Sequence, residues 1–189
     1  MAARAAASSD LIERQSFIDA LLETVDVGIV SCDADGVFIV SNRAEREMFG
    51  LDDNGLTGML PPDLKPLIDV IEPTSGHVEP DDYPLMRALR GEKLGEIDMV
   101  VGPTGGPHRE IVVRGRQIVN PDGEVLGAVA ALTDVTTERR AARALAEEHA
   151  RLIEAQIAAE QAGDTARQDA IWAELVRSTE RRKLSISLV

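Results

Sequence analysis

The hydrophobic period of the chain changes several times, and each change predicts an element. Leu11, Ile12, Ile18, Leu21, Leu22 and Val25 fall on one face at helical spacing. They predict a helix from a cap at Ser9 or Asp10 to about Thr24, behind a frayed stretch over 1–9. Residues 27–32 and 37–41 are apolar runs on either side of Asp33-Ala-Asp-Gly36, a turn sequence whose glycine accepts a positive φ. A short helix is predicted over 43–49, capped by Asn42 and stopped by Gly50. From 51 to 84 the pattern is lost. Prolines at 61, 62, 66, 73, 80 and 84 cannot donate to a ladder or continue a helix, so loops and single turns are predicted there. A short helix over 84–90 ends at Gly91.

Period two then takes over. In 94–101, Ile97, Met99 and Val101 alternate with Glu96, Asp98 and Val100; in 109–119, Ile111 and Val113 alternate with Glu110, Arg114 and Arg116. Ile97, Met99, Ile111 and Val113, with Val129 and Ala131 of a last strand, are assigned to the concave face and are the candidate ligand pocket. Val112, Ile118, Ala128, Ala130 and Leu132 are assigned to the outer face, which needs a cover. Glu96 and Asp98 are placed to pair with Arg114 and Arg116. The Gly102–Pro107 stretch lacks a following Gly-Lys-Ser/Thr and reads as a hairpin turn, not a phosphate cradle.

Gly127 to Leu145 changes character within a few residues. Ala128–Leu132 is a small apolar strand closed by Thr133–Asp134; beyond it Glu, Arg, Ala and Leu favour helix, with Thr136 and Thr137 placed to cap it. The helix is predicted to about Ala162. Ala142, Leu145, His149, Leu152, Gln156 and Ala159 keep a 3-4 spacing, a seam weakened by its polar members. Ala162-Gly-Asp-Thr165 breaks it, and a second helix over about 166–182 carries Ile171, Trp172, Leu175 and Val176. A coiled coil and a helical hairpin both fit. Residues 184–189 alternate like a strand.

Composition narrows the picture. The 189 residues are 44% hydrophobic but only 3% aromatic, so the core is aliphatic. The net charge of −13 lies wholly in residues 1–134, with 24 acids and 11 bases; residues 135–189 hold nine of each. Neither part has the basic face that nucleic acid requires, so no nucleic-acid partner is expected. One cysteine, Cys32, allows no internal disulfide, and three scattered histidines assemble no metal or catalytic set. The start of the chain has no apolar signal core and no run spans a bilayer, so a cytoplasmic chain without a membrane partner is expected.

Several motifs in order resemble the PAS family. Asp134-Val-Thr136 followed by Arg139-Arg140 resembles the signature that closes a PAS domain and opens its signalling helix. Asp33–Gly36 before Val37–Asn42 resembles the first PAS hairpin, and Asn42–Gly50 the helix after it. Asp82–Glu92 and Asp122–Val129 resemble the later turn and the last hairpin. The resemblance covers roughly 10–140. It implies an α+β PAS fold: a five-stranded antiparallel sheet, an N-terminal cap helix over 1–25, the PAS domain over 26–134, a helical extension over 135–183 and a tail over 184–189.

The function so implied is a sensory and dimerising module in signal transduction, not an enzyme. It relays a change through Asp134, Thr136, Arg139 and Arg140. An adaptor without ligand, docking a kinase, phosphatase or regulator, and the detached input half of a histidine kinase or cyclase are the alternatives. No flavin-adduct, phosphoacceptor-helix or cyclase motif is present. His77, between Gly76 and Pro80, does not sit on a regular helix, which disfavours haem; a small apolar ligand or none is expected, and no cofactor or metal. A homodimer is expected through Leu11, Ile18, Leu21, Leu22, Leu145 and Leu152.

Overall fold

The computed structural model describes residues 2–186, and the side chains of 10–180. The chain divides into two compact units, Met1–Val135 and Thr136–Val189.

The first unit opens with α1 (Ala2–Thr24). The helix is already formed before Ser9, so Asp10 is not its cap; it lies inside and pairs with Arg14 one turn on at 3.0 Å. Next come β1 (Gly28–Asp33), β2 (Phe38–Ser41), α2 (Arg43–Phe49) and α3 (Pro61–Leu64). β3 (Ile68–Glu72), β4 (Gly76–His77) and α4 (Pro84–Leu89) follow, then the long strands β5 (Leu94–Pro103), β6 (Arg109–Val119) and β7 (Val125–Asp134). α2 is bounded by the residues the sequence indicates: Asn42 accepts from the Glu45 amide, and Gly50 closes it at φ 69°.

The strands form one antiparallel sheet in the order β2-β1-β7-β6-β5-β3-β4. It has seven strands, not five. The two additions, β3 and β4, fall where loops were expected. The prolines of that region bound β3 rather than interrupt it: Pro66 precedes it and Pro73 lies in the turn after it. Between them Ile68 and Val70 alternate inward, and β3 pairs with β5 from Ile68↔Pro103 to Ile71↔Val100. His77 is therefore on a short edge strand, exposed.

Register also corrects the faces. Antiparallel partners share a face, and Val113 lies opposite both Ile97 and Leu132, while Ala130 lies opposite Gly115 and Val30. Ala128, Ala130 and Leu132 are therefore inside, at 0, 2 and 4% exposure, and Val129 and Ala131 lie on the outer face. The inside face packs with α2, α4 and the 51–64 segment into one apolar core, which is mostly aliphatic but takes in Phe38, Phe49 and Tyr83. Gly127 allows β7 to close on β1, since a Cβ there would stand 2.0 Å from the Cys32 carbonyl oxygen.

The second unit is a helical hairpin, α5 (Thr136–Ala162) and α6 (Thr165–Ile186), whose helices pack on each other. Gly163 adopts φ 69° between them, and Asp164 caps α6 by accepting from the Arg167 amide at 3.0 Å. Ala159, Ile171 and Ser178 are buried. Residues 184–186 continue α6 rather than forming a strand; the rest of the tail, 187–189, lies outside the described residues.

Candidate functional site

The inner face of the sheet and the segments laid over it enclose an apolar cavity of about 60 Å³. β1 and β2 contribute Val30 and Phe38, and β3 contributes Ile68 and Val70. The central strands contribute Met99, Val101, Ile111, Val113, Ala130 and Leu132. Phe49 of α2, Leu56, Leu64, Tyr83 and Leu85 close the opposite side. No charged side chain reaches the wall. Tyr83 is 6% exposed, and its hydroxyl is held above its ordinary pKa by burial, with Glu79 and Asp69 adding to the effect. Cys32, fully buried in the core, is likewise kept a thiol by burial.

Of the six residues assigned to the pocket, Met99, Ile111 and Val113 line the cavity. Ile97 packs against the core beside it. Val129 and Ala131 are on the far face, and their neighbours Ala130 and Leu132 take the inner positions. The aromatic part of the wall, Phe38, Phe49 and Tyr83, is not among the six. The scarcity of aromatic residues marks them: the chain has three Phe, one Trp and one Tyr, and Phe38, Phe49 and Tyr83 all meet at this cavity.

β7 leads into α5 through a single residue, Val135, whose amide donates to the Glu110 carbonyl at 2.9 Å. Asp134 accepts from Arg109 of β6 at 2.8 Å. Thr136, 8% exposed, is already helical, so Val135 rather than a threonine precedes the helix. Arg139 and Arg140 lie within the first turns of α5.

The residues assigned to a dimer interface belong to both units. Leu11, Ile18 and Leu21 are exposed on α1, at 68, 49 and 49%, and Leu22 is half-buried there. Leu145 and Leu152 are half-buried on the stripe of α5 that also carries buried Ala159, in the other unit. A second, neighbouring stripe is exposed: Ile153 and Ile157 on α5, Trp172 and Val176 on α6. His149 is half-buried in this hairpin, on α5, and Arg114 pairs with Glu96 across the sheet. His77 does not reach the apolar cavity. Among the described residues no group of acids, histidines and cysteine is arranged to hold a metal ion, and no helix is long and apolar enough to cross a membrane.

A family model described as the PAS fold matches residues 22–140, well over half of the chain. The chain belongs to the PAS family. PAS domains are sensory modules of signal-transduction proteins and are typically not catalytic themselves. The chain is also 30% identical over 104 residues to the hybrid signal transduction histidine kinase I of Dictyostelium discoideum. That match takes in 52% of this chain but only 6% of the kinase. Among solved structures it is similar to the PAS domain of an HTR-like protein from Haloarcula marismortui, with a TM-score of 0.49 and 17% identity, covering 67% of this chain and 96% of that one. The PAS domain of BvgS from Bordetella pertussis aligns with a TM-score of 0.44 and 16% identity, over 71% and 96% of the two chains.

Proposed function

We propose that this chain is the sensory input of a signalling system, with the apolar cavity as its receiver and β7 as its transmitter. One observation carries the reading: Ala130 and Leu132 line the cavity, and the strand that holds them becomes α5 after one residue. A ligand that presses on these two side chains displaces β7, and β7 cannot move without carrying Val135 and Thr136. The cavity volume favours a small apolar ligand of few atoms over haem or flavin, since a cavity of roughly 150 Å³ is what holds a benzene. The relay ends in a homodimer, or in a kinase, phosphatase or regulator that reads the helices.

Xenon under pressure is a suitable probe, because it enters dry apolar cavities. Amide resonances of 133–140 are expected to shift with xenon in the parent protein and to stay still in Ala130→Leu, which fills the cavity. Shifts confined to the cavity wall, with none at 133–140, would remove the relay from this reading.

A second reading, a partner-docking adaptor, has its own observation in exposed Ile153, Ile157, Trp172 and Val176. Trp172 is the sole tryptophan, so its emission is expected to shift to the blue when a true partner covers it. Trp172→Ala would weaken that binding without touching the cavity.

A further inference from the structure

The first turn of α2 does more than open a helix. Asn42 donates to the Leu22 carbonyl at 2.7 Å and to the Val27 carbonyl at 2.9 Å, Arg43 donates to the Glu23 carbonyl at 3.1 Å, and Arg46 pairs with the Glu23 carboxylate at 2.9 Å. Three residues within five positions thus hold the end of α1. Glu45 stands among them, on the inner side of the same turn, with none of its surface exposed. One of its carboxyl oxygens accepts from the Ser41 hydroxyl; the other, Oε1, is buried with no hydrogen-bond partner among the described residues. The site is closed tightly. A Cβ on Gly28 would lie 3.2 Å from the Glu45 Cα, and one on Gly55 would lie 2.2 Å from the Ser41 hydroxyl oxygen.

A carboxylate in this position would be a charge without water and with half its acceptors empty, which costs far more than a neutral acid. The charged groups near it do not neutralise it. Arg46, on the same helix, acts on it, but is engaged by Glu23 of α1 and also feels Asp53 of the loop after α2. Arg43 is engaged by Asp26 and Glu47. β1 and β2 offer Gly28 and Ser41, neither of them ionisable here.

We infer that the α1–α2 contact is a proton-gated clamp: protonated Glu45 lets the first turn of α2 seat and hold α1, and ionised Glu45 draws water into that turn and loosens the hold. The input is separate from the apolar cavity and does not depend on any ligand there. Burial raises the Glu45 pKa from 4.5 to about 7, opposed in part by the Ser41 hydroxyl and by Arg46, which puts the gate near neutrality.

The test is amide hydrogen exchange of residues 18–27 in the full chain, corrected for intrinsic rates. With a closed-state pKa near 7 and an open-state value near 4.5, protection should fall about tenfold between roughly pH 6 and roughly pH 8 and level off above that. Glu45→Gln keeps the Ser41 contact without a charge, and its protection should be high and equal at both pH values. PH-independent protection in the parent, or the same tenfold loss in Glu45→Gln, would overturn the proposal. Should Glu45→Gln not fold, the carbon-13 carboxyl resonance of Glu45 in the parent decides: a midpoint near 7 shared by the α1 amides supports the clamp, and one in the ordinary carboxylate range ends it.

Discussion

Asn42 is 1% exposed and makes four side-chain hydrogen bonds: it accepts from the Glu45 and Ile29 amides and donates to the Leu22 and Val27 carbonyls. The two halves of the side chain thus do different work, the oxygen inside the domain and the nitrogen toward α1. Asn42→Asp keeps the acceptor and removes the donor, so it should release α1 while leaving α2 capped; Asn42→Ala should also cost the cap, about 1–2 kcal/mol more in a chemical melt. Equal losses in the two variants would mean that the oxygen's cap contributes nothing, and an Asn42→Asp as stable as the parent would mean that the nitrogen contributes nothing. For Glu45 the sign is that of a raised acid. Its contribution is fully present below the unfolded pKa of 4.5 and is lost as pH rises through about 7, up to roughly 3 kcal/mol by linkage. Stability should therefore fall across that window in the parent and more shallowly in Glu45→Gln, as read by urea midpoints at constant salt. The cap itself was legible in Asn42 and its position before a helical run, but the buried acid was not. A Glu three residues after a cap reads as solvated first-turn chemistry, and only its burial, with Gly28 packed against its Cα, shows otherwise.

At the scale of elements, β7 shows where pattern reading runs out. Ala128-Val-Ala-Ala-Leu132 is apolar at both parities, so alternation cannot say which residues face in; the pairing Val113↔Leu132 does. In β5 and β6 the charged partners Glu96, Asp98, Arg114 and Arg116 mark the outer face, and there the inward assignment of Met99, Ile111 and Val113 agrees with burial. β3 was hidden for a different reason, since prolines around a strand look like prolines through one until the pairing with β5 is known. The consequence is measurable. Leu132→Ala removes a side chain from the cavity wall and should cost about 2–4 kcal/mol, whereas Val129→Ala on the outer face should cost under about 1.5 kcal/mol. Comparable losses at both positions would contradict the register. Asp134→Ala should cost only about 0.5 kcal/mol, because its pairing with Arg109 is partly exposed; any larger effect on the xenon response of 133–140 then belongs to coupling and not to folding.

The molecule as a whole carries its charge unevenly, −13 over residues 1–134 and zero over the rest, and that boundary falls within a residue of the division between the two units. Composition alone located it, because a domain that covers an aliphatic core with acids and a hairpin of alternating acids and bases differ in sequence before they differ in structure. The acidic unit is also the one on whose surface a second copy would have to settle against like charge. Leu11, Ile12, Phe17, Ile18 and Leu21 leave α1 with an apolar face at 49–68% exposure, and on the sheet Ile118 and Leu126 are exposed at 37 and 53%. Two copies meeting through these faces bury apolar surface but bring two highly negative bodies together. The apolar gain hardly changes with dilute salt, while the repulsion is screened over about 10 Å at 0.1 M ionic strength. Association should therefore tighten as salt is raised. Sedimentation is expected to move from the 20.4 kDa of one chain toward twice that mass at micromolar concentration as salt goes from about 0.02 M to about 0.3 M. Ile18→Glu together with Leu21→Glu should keep the chain monomeric at every salt concentration, since the added charges stand on the exposed face of α1. A dimer that instead dissociates with salt would be held by ion pairs, and one that survives both substitutions would not use α1 at all.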